Sequence, residues 1–148
     1  MITVAVQSHP IDAVNCFEAH DVGGHGASAS FTGRVRGDGD LCELFLDHHP
    51  VMTAAALGQL ASEAAERWAL DDVTVIHRVG AMAPGDTIVL VIASSAHRAP
   101  ALAACEYLID RLKTGVPLWK RETFSDGRAI WVEQHASDQD RAERWKSP

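Results

Sequence analysis

Cysteine is scarce in this sequence, and its few copies are not arranged for disulfides or for a thiolate metal site. The three cysteines are Cys16, Cys42 and Cys105, which are far apart, odd in number and form no Cys-x-x-Cys pair. Disulfide frameworks need paired cysteines, and structural metal sites need closely spaced ligands. The sequence therefore predicts reduced, mostly buried thiols.

Positive charge and long apolar runs are also lacking. Thirteen basic residues stand against 20 acidic ones, for a formal net charge of -7. A nucleic-acid binder needs clustered Lys and Arg on a basic face, so the net charge disfavours this class and any anion site must be local. No apolar stretch approaches the roughly 20 residues that span a bilayer, and MITVAVQSHP does not resemble a signal peptide. We expect a cytoplasmic protein with no nucleic-acid or membrane partner.

Familiar catalytic signatures are absent as well. There is no GxSxG elbow and no phosphate loop, while His48, His49 and His77 have no acid or cysteine at a metal-ligand spacing. Neither a metal nor a cofactor is predicted. The 148 residues, 47% of them hydrophobic, contain no repeat or linker, and a chain of this length can bury about 70% of its unfolded surface. We therefore expect a single domain spanning residues 1–148.

Hydrophobic periodicity predicts strands that alternate with two long helices. The predicted strands are 2–6, 27–36, 41–48, 73–79, 87–95, 118–124 and 129–133; the predicted helices are a short one from about 10–12 to 19, long ones at 51–68 and 100–113, and a short polar one at 137–145. The Gly-Asp-Gly-Asp turn at 37–40 suggests that 27–36 and 41–48 form a hairpin. Strands 73–79 and 87–95 are expected to be neighbours. This pattern predicts an α+β fold, in which a sheet is covered by helices.

Basic residues at the ends of these elements are the candidates for chemistry. Lys113 and Lys120 flank a helix stop and a proline, so both ammonium groups could converge on one ligand; alternatively, Lys113 only complements its helix dipole. Arg34 and Arg36 lie two positions apart and share a strand face, although such pairs are commonly solvated. A further basic pair, His97-Arg98, lies at a strand-helix junction, where free amides favour anions.

Several segments, in this order, carry a family resemblance. They are FTGRVR, LDHHPVM, VIHRVG, PGDTIVLVIASSAHR, LIDRLKTGVPLWKRE and DGRAIWVE, of which VPLWKRE is the most diagnostic. Together they resemble the large, catalytic subunit of molybdopterin synthase. This resemblance implies a hammerhead-type α+β fold, mostly an antiparallel sheet covered by two long helices, with an additional small β subdomain.

The resemblance also implies partners and a reaction. It implies a homodimer of large subunits, each of which docks a small ubiquitin-like sulfur carrier whose Gly-Gly tail ends in a thiocarboxylate. Two transfers from this carrier would convert cyclic pyranopterin monophosphate into the dithiolene molybdopterin. A sequence without a paired or activated cysteine agrees with such a role, because the sulfur would come from another molecule.

Carried over position by position, the resemblance assigns roles to the basic residues. Lys113 and Lys120 match the essential lysines of the family, and the substrate-pocket positions are matched by Arg34, Val35, Arg36, His97, Arg98, Arg121 and Glu122, together with the two lysines. Lys113 is expected beside the thiocarboxylate carbon, with Lys120 assisting proton transfer or opening of the cyclic phosphate. Two neighbouring ammonium groups would lower one another's proton affinity.

Two departures and two alternatives accompany this interpretation. The turn after Arg36 is shorter than in many relatives, and His49 stands where a tyrosine is common, so loop closure or a pocket wall is expected to differ. A non-catalytic scaffold that docks the carrier is one alternative; a different phosphate-handling α+β enzyme is the other.

Overall fold

The computed structural model describes residues 1–20, 23–133 and 136–146, which contain eight strands and four helices. In chain order they are β1 (Ile2–Gln7), α1 (Ala13–His20), β2 (Ala27–Arg34), β3 (Leu41–His48), α2 (Met52–Arg67), β4 (Asp72–Arg78), β5 (Gly80–Met82), β6 (Thr87–Ser95), α3 (Arg98–Gly115), β7 (Leu118–Phe124), β8 (Ala129–Val132) and α4 (Ala136–Glu143). The predicted α+β class is confirmed. No helix in the described ranges is long and apolar enough to cross a bilayer.

The first sheet has the strand order β1-β4-β6-β2. β1 runs parallel to β4, whereas β4–β6 and β2–β6 are antiparallel. The prediction that strands 73–79 and 87–95 are neighbours is thus confirmed by the pairing of β4 with β6. A register shift between Gly33 and Arg34 leaves one extra residue on β6 at the end of β2, which bends the sheet there.

The second sheet has the order β5-β3-β7-β8 and is antiparallel. The predicted hairpin of 27–36 with 41–48 is wrong: β2 pairs with β6, and β3 pairs with β5 and β7. After β2 the backbone of Val35 instead joins the turn before β6, since its amide donates to the carbonyl of Asp86 (2.9 Å) and its carbonyl accepts from the amide of Gly85 (2.8 Å). The glycine-rich turn at 37–40 therefore carries the chain from one sheet to the other.

The two long helices bury their apolar stripes against one face of the first sheet. On α2 the buried positions include Leu57, Leu60, Ala61 and Ala64, which recur at helical spacing. Leu57 of α2 and Leu108 of α3 are fully buried, so truncating either to alanine would cost about 2–5 kcal/mol. α1 covers the opposite face, over Ile76, Leu90 and Ile92 of β4 and β6.

The C-terminal helix is tied to α3 by a buried carboxylate. Asp110 accepts hydrogen bonds from Trp145 Nε1 (2.7 Å), Arg141 Nε (2.9 Å) and Arg144 Nη2 (2.9 Å). Burial raises the pKa of Asp110, but these hydrogen bonds outweigh it and the net pKa is lowered, so the carboxylate stays ionised. This anchor holds α4 beside the C-terminal half of α3.

Candidate active site

A cleft of about 730 Å³ lies where the end of α3 meets both sheets. Its walls come from β2, β3, β4, β6, the last turns of α3, β7, the end of β8 and the start of α4. The volume is typical of sites for small molecules. Among the charged residues that line it, the cations Arg34, Arg36, Lys113 and Lys120 outnumber the carboxylates Glu133 and Asp138. The cleft is thus locally positive within an acidic chain.

Both candidate lysines line this cleft, and they are two of the only three lysines in the sequence. Lys113 stands in the last turn of α3, which ends at Gly115, and the chain then reverses through Pro117 into β7. Thr53, at the start of α2, fixes this reversal because its hydroxyl donates to the Pro117 carbonyl at 2.7 Å. The spacing of the two lysines therefore follows from a helix stop and a buried threonine.

Lys120 is half-buried, and its pKa is lowered. Burial is the largest cause, followed by the positive charge of Lys113, with a smaller contribution from Arg36; Glu122 and Asp138 act in the opposite direction. Both burial and neighbouring cations disfavour an ammonium group. A neutral amine is consequently easier to reach at Lys120 than at an ordinary lysine.

The segment after β2 places two arginines in the cleft and a valine in the core. Arg34 and Arg36 line the cleft, whereas Val35 between them is 4% exposed and packs with Leu44 and Met82. This agrees with alternation along an extended chain. The Arg36 side chain is largely solvent-exposed, with an ion pair of 3.8 Å to Asp38. Val35 thus supports the arginines from beneath, without lining the cleft itself.

Gly33 permits the close approach of cleft walls at this point. A Cβ atom at this position would lie 2.9 Å from Val89 Cγ1 and 3.2 Å from Phe31 Cε1. Both neighbours also line the cleft. A side chain at position 33 would therefore displace one of them.

His97 and Arg98 do not reach this cleft within the chain. They stand, exposed, at the N-terminus of α3, while Lys113 lies 15 residues further along the same helix, or about 22 Å at 1.5 Å per residue. The Ser95 hydroxyl donates to the His97 carbonyl (2.6 Å) and accepts from the His97 amide (3.2 Å), which fixes the junction. The structure therefore separates these two predicted residues from the lysines.

Arg121 and Glu122 lie on opposite faces of β7. Arg121 points away from the cleft, with its guanidinium over Phe45 (4.8 Å) and Trp131 (5.6 Å) and 3.7 Å from Glu43. Glu122 shares the face of Lys120 by strand alternation, and its charge acts on the Lys120 ammonium. Neither residue is part of the cleft lining, although Glu122 is electrostatically coupled to it.

Two kinds of residue line the cleft but were not predicted from the sequence to do so. His77 lies in the floor of the cleft, and Glu133, Ser137 and Asp138 form its C-terminal rim. On β4, His77 follows Val73 and Val75 at a spacing of two, so all three side chains lie on the face of the strand that meets the helices. This alternation is the sequence signal that could have predicted the position of His77. The rim residues depend on the docking of α4 and have no local signature. In the described ranges, no group of three or more His, Cys, Asp or Glu could hold a metal ion.

His49, noted as a departure from the family pattern, is absent from the residues that line the cleft. Its Nδ1 atom accepts hydrogen bonds from the amides of Met52 (3.0 Å) and Val51 (3.3 Å) at the start of α2. Such an acceptor satisfies amides that have no partner within the helix. The histidine therefore caps α2.

The fold and the cleft define an α+β protein with a locally cationic cleft. Residues 6–115 match the family described as MoaE protein. The chain is 49% identical over 123 residues to the molybdopterin synthase catalytic subunit of Escherichia coli strain K12, covering 81% of each chain. The chain belongs to the MoaE family of molybdopterin synthase catalytic subunits.

Two solved structures are similar to this chain in fold. The chain matches the molybdopterin biosynthesis MoaE protein from Burkholderia ambifaria MC40-6 with a TM-score of 0.85 and 38% identity, covering 100% of both chains. It also matches a chain of the complex of subunits 1 and 2 of molybdopterin-converting factor from Helicobacter pylori 26695, with a TM-score of 0.74, 18% identity and coverage of 90% and 91%. The second likeness concerns the fold alone.

Proposed function

We propose that this protein is the catalytic subunit of a molybdopterin synthase. In this reaction, sulfur passes from the C-terminal thiocarboxylate of a small ubiquitin-like carrier to cyclic pyranopterin monophosphate, and two transfers form the dithiolene of molybdopterin. The observation that carries the proposal is the convergence of Lys113 and Lys120 with Arg34 and Arg36 in one cleft. A cyclic phosphate and a thiocarboxylate are both anions, so a locally cationic cleft can hold and align them.

The two lysines are suited to different tasks. Lys113 is exposed at the end of α3, where its ammonium can stabilise the negative charge that develops on the oxygen or sulfur bonded to the thiocarboxylate carbon. Lys120 is half-buried with a lowered pKa, so it can accept a proton at a pH where an ordinary lysine cannot. In each of the two transfers the thiocarboxylate of a carrier gives up its sulfur and becomes a carboxylate, and the single cyclic phosphate is opened once in the whole conversion.

The carrier is the partner that this chemistry requires. A chain that resembles this one in fold is a member of a complex of subunits 1 and 2 of molybdopterin-converting factor. We propose that a carrier with a Gly-Gly C-terminus inserts its tail into the cleft. With one carrier on each large subunit, the assembly is a heterotetramer around a central homodimer. We also place the reaction in the cytoplasm, which the free thiols of Cys16, Cys42 and Cys105 permit.

A homodimer would give His97 and Arg98 a role in the reaction. They lie about 22 Å from Lys113 along α3, so they reach a substrate only in the cleft of a second copy. We propose that they hold the phosphate and pterin there, with Glu122 tuning Lys120 from the same strand face. If Arg98→Ala leaves the affinity for the precursor unchanged in calorimetry, this assignment is wrong.

Reconstitution with thiocarboxylated carrier and precursor tests the function directly. Dithiolene formation is followed by the fluorescence of the oxidised pterin product. Lys113→Ala and Lys120→Ala should each abolish product formation, whereas Lys146→Ala, at the exposed third lysine of the chain, should not. Undiminished product with Lys113→Ala would refute its role. Turnover of simple phosphoesters without any carrier would favour a different phosphate-handling enzyme, and carrier binding without product would favour a scaffold.

A further inference from the structure

His77 presents a defined hydrogen-bonding edge to the cleft. It lies on β4, is 7% exposed and lines the floor of the cleft. Its Nδ1 atom is 2.8 Å from the backbone carbonyl of Arg78. A carbonyl oxygen only accepts hydrogen bonds, so Nδ1 carries the hydrogen. In the neutral ring, the lone pair therefore resides on Nε2, at the end of the ring away from the backbone.

The surroundings of His77 keep this ring neutral. Burial lowers its pKa, and the positive charge of Lys113 lowers it further, while the hydrogen bond to the Arg78 carbonyl acts in the opposite direction. The net shift is downward from the ordinary value, so the imidazole stays uncharged at neutral pH. Nε2 is thus an acceptor under the conditions in which the enzyme works.

The floor of the cleft differs chemically from its mouth. Among the described residues that line the cleft, the buried ones are Leu44, Leu46, His77, Leu112 and Val116, and His77 is the polar member of this group. The cations Arg34, Arg36 and Lys113 are exposed. A ligand with a charged end and an uncharged heterocyclic end would place the charge at the mouth and the ring in the floor.

We propose that His77 Nε2 accepts a hydrogen bond from a ring N–H of the precursor and so orients its heterocycle in the floor of the cleft. This inference rests on the proposed function and names a residue that selects and positions the substrate. The apolar walls bury the faces of the heterocycle, and the single acceptor fixes its rotation. A buried acceptor also discriminates against ligands without the matching donor, because the acceptor is then desolvated without a partner.

Two substitutions separate hydrogen bonding from packing. His77→Leu keeps an apolar side chain in the floor but removes the acceptor, and His77→Gln restores an acceptor on a chain of similar reach. His9→Leu, in an exposed segment outside the cleft, is the matched control. We expect His77→Leu to raise KM for the precursor by about three- to tenfold, the worth of one net hydrogen bond, with kcat at saturating precursor less affected. His77→Gln should recover most of the loss, and His9→Leu should match the unmodified protein.

A spectroscopic measurement on the unmodified protein covers the case in which a variant does not fold. In ¹⁵N-labelled protein, His77 should show the tautomer with hydrogen on Nδ1, and its Nε2 resonance should move on titration with precursor but not with inorganic phosphate. An unmoved Nε2 resonance at saturation, or a KM for folded His77→Leu equal to that of His9→Leu, would overturn the proposal. Absence of dithiolene product in the unmodified protein would instead overturn the proposed function.

Discussion

The hydroxyl of Thr53 links α2 to the chain reversal at Pro117, between Lys113 and Lys120. The substitution Thr53→Val tests whether this link sets the geometry of the two lysines. Thr53 is fully buried, and its hydroxyl makes two hydrogen bonds: it accepts from the His49 amide at 2.9 Å and donates to the Pro117 carbonyl at 2.7 Å. Valine has nearly the same shape but cannot make either bond. The substitution therefore removes the link with little change in packing.

The expected cost follows from the partners that the substitution leaves behind. A buried group without its hydrogen bond costs about 1–3 kcal/mol. The low end of this range, about 1 kcal/mol, applies to each of the two partners, because His49 is exposed to solvent and Pro117 is partly exposed. We therefore expect a loss of about 2 kcal/mol in the free energy of unfolding. For a chain of this size, that lowers the melting temperature by about 4–8 °C.

The same substitution should affect catalysis more than stability alone explains. Pro117 lies between Lys113 and Lys120 in the sequence, and freeing its carbonyl allows the reversal to shift by a fraction of an ångström. Small misplacements of reacting groups are costly, so we expect about a tenfold loss in the rate of dithiolene formation at saturating precursor, measured well below the melting temperature. Thr53→Ser keeps the hydroxyl and is the matched control, with a loss of about 1 kcal/mol for the missing methyl group. Equal melting temperatures and equal rates for the two variants would refute the reasoning.

Three further predictions concern the cleft and the core. Gly33→Ala should raise KM for the precursor and cost about 1–3 kcal/mol in thermal denaturation, since the new methyl group would lie 2.9 Å from Val89 Cγ1; an unchanged KM would contradict the close packing. Arg36→Gln should shift the ascending limb of the pH–rate profile to higher pH: Arg36 lowers the pKa of Lys120, so its removal raises that pKa, and the neutral amine then appears only at higher pH. A limb that does not move, or moves to lower pH, would argue against Lys120 as the base. Cys105, whose pKa is raised to about 11 by burial and the charge of Glu106, should resist alkylation near pH 8 until the protein unfolds, which mass spectrometry can follow.

Local patterns in the sequence were sufficient to predict the helices and strands that bury one face. The helical spacing of Ala56, Leu60 and Ala64 predicted α2, and strand 118–124 was predicted with its observed bounds. The hairpin of β2 with β3 was wrong because alternation fixes which side chains share a face but not which strand supplies the hydrogen bonds. That choice is made by contacts distant in sequence, such as the Val35 amide with the Asp86 carbonyl.

The candidate site, like the strand pairing, could be predicted from the sequence only in part, because it also depends on contacts between residues that are distant in the chain. The sequence predicted that Arg34, Arg36, Lys113 and Lys120 lie at or near the ends of helices and strands, and the structure brings them into one cleft. The rim from α4 could not be foreseen, because it depends on Asp110, a residue whose role as an anchor appears only once its three donors are in place. The position of His77 required knowing which face of β4 meets the helices.

The lowered pKa of Lys120 and the anionic character of the proposed substrates are coupled. Lys120 resists protonation because it is half-buried and faces Lys113 and Arg36, two charges that a bound phosphate or thiocarboxylate would neutralise. An opposite charge beside an ammonium group favours its protonated form, so an anion that enters the cleft should raise the pKa that the empty cleft lowers. The neutral amine of Lys120 would then become more basic when the substrate arrives, which favours its acceptance of a proton from the reacting atoms. On this argument, the clustering of cations provides the affinity for anions and also prepares the proton transfer that the reaction requires.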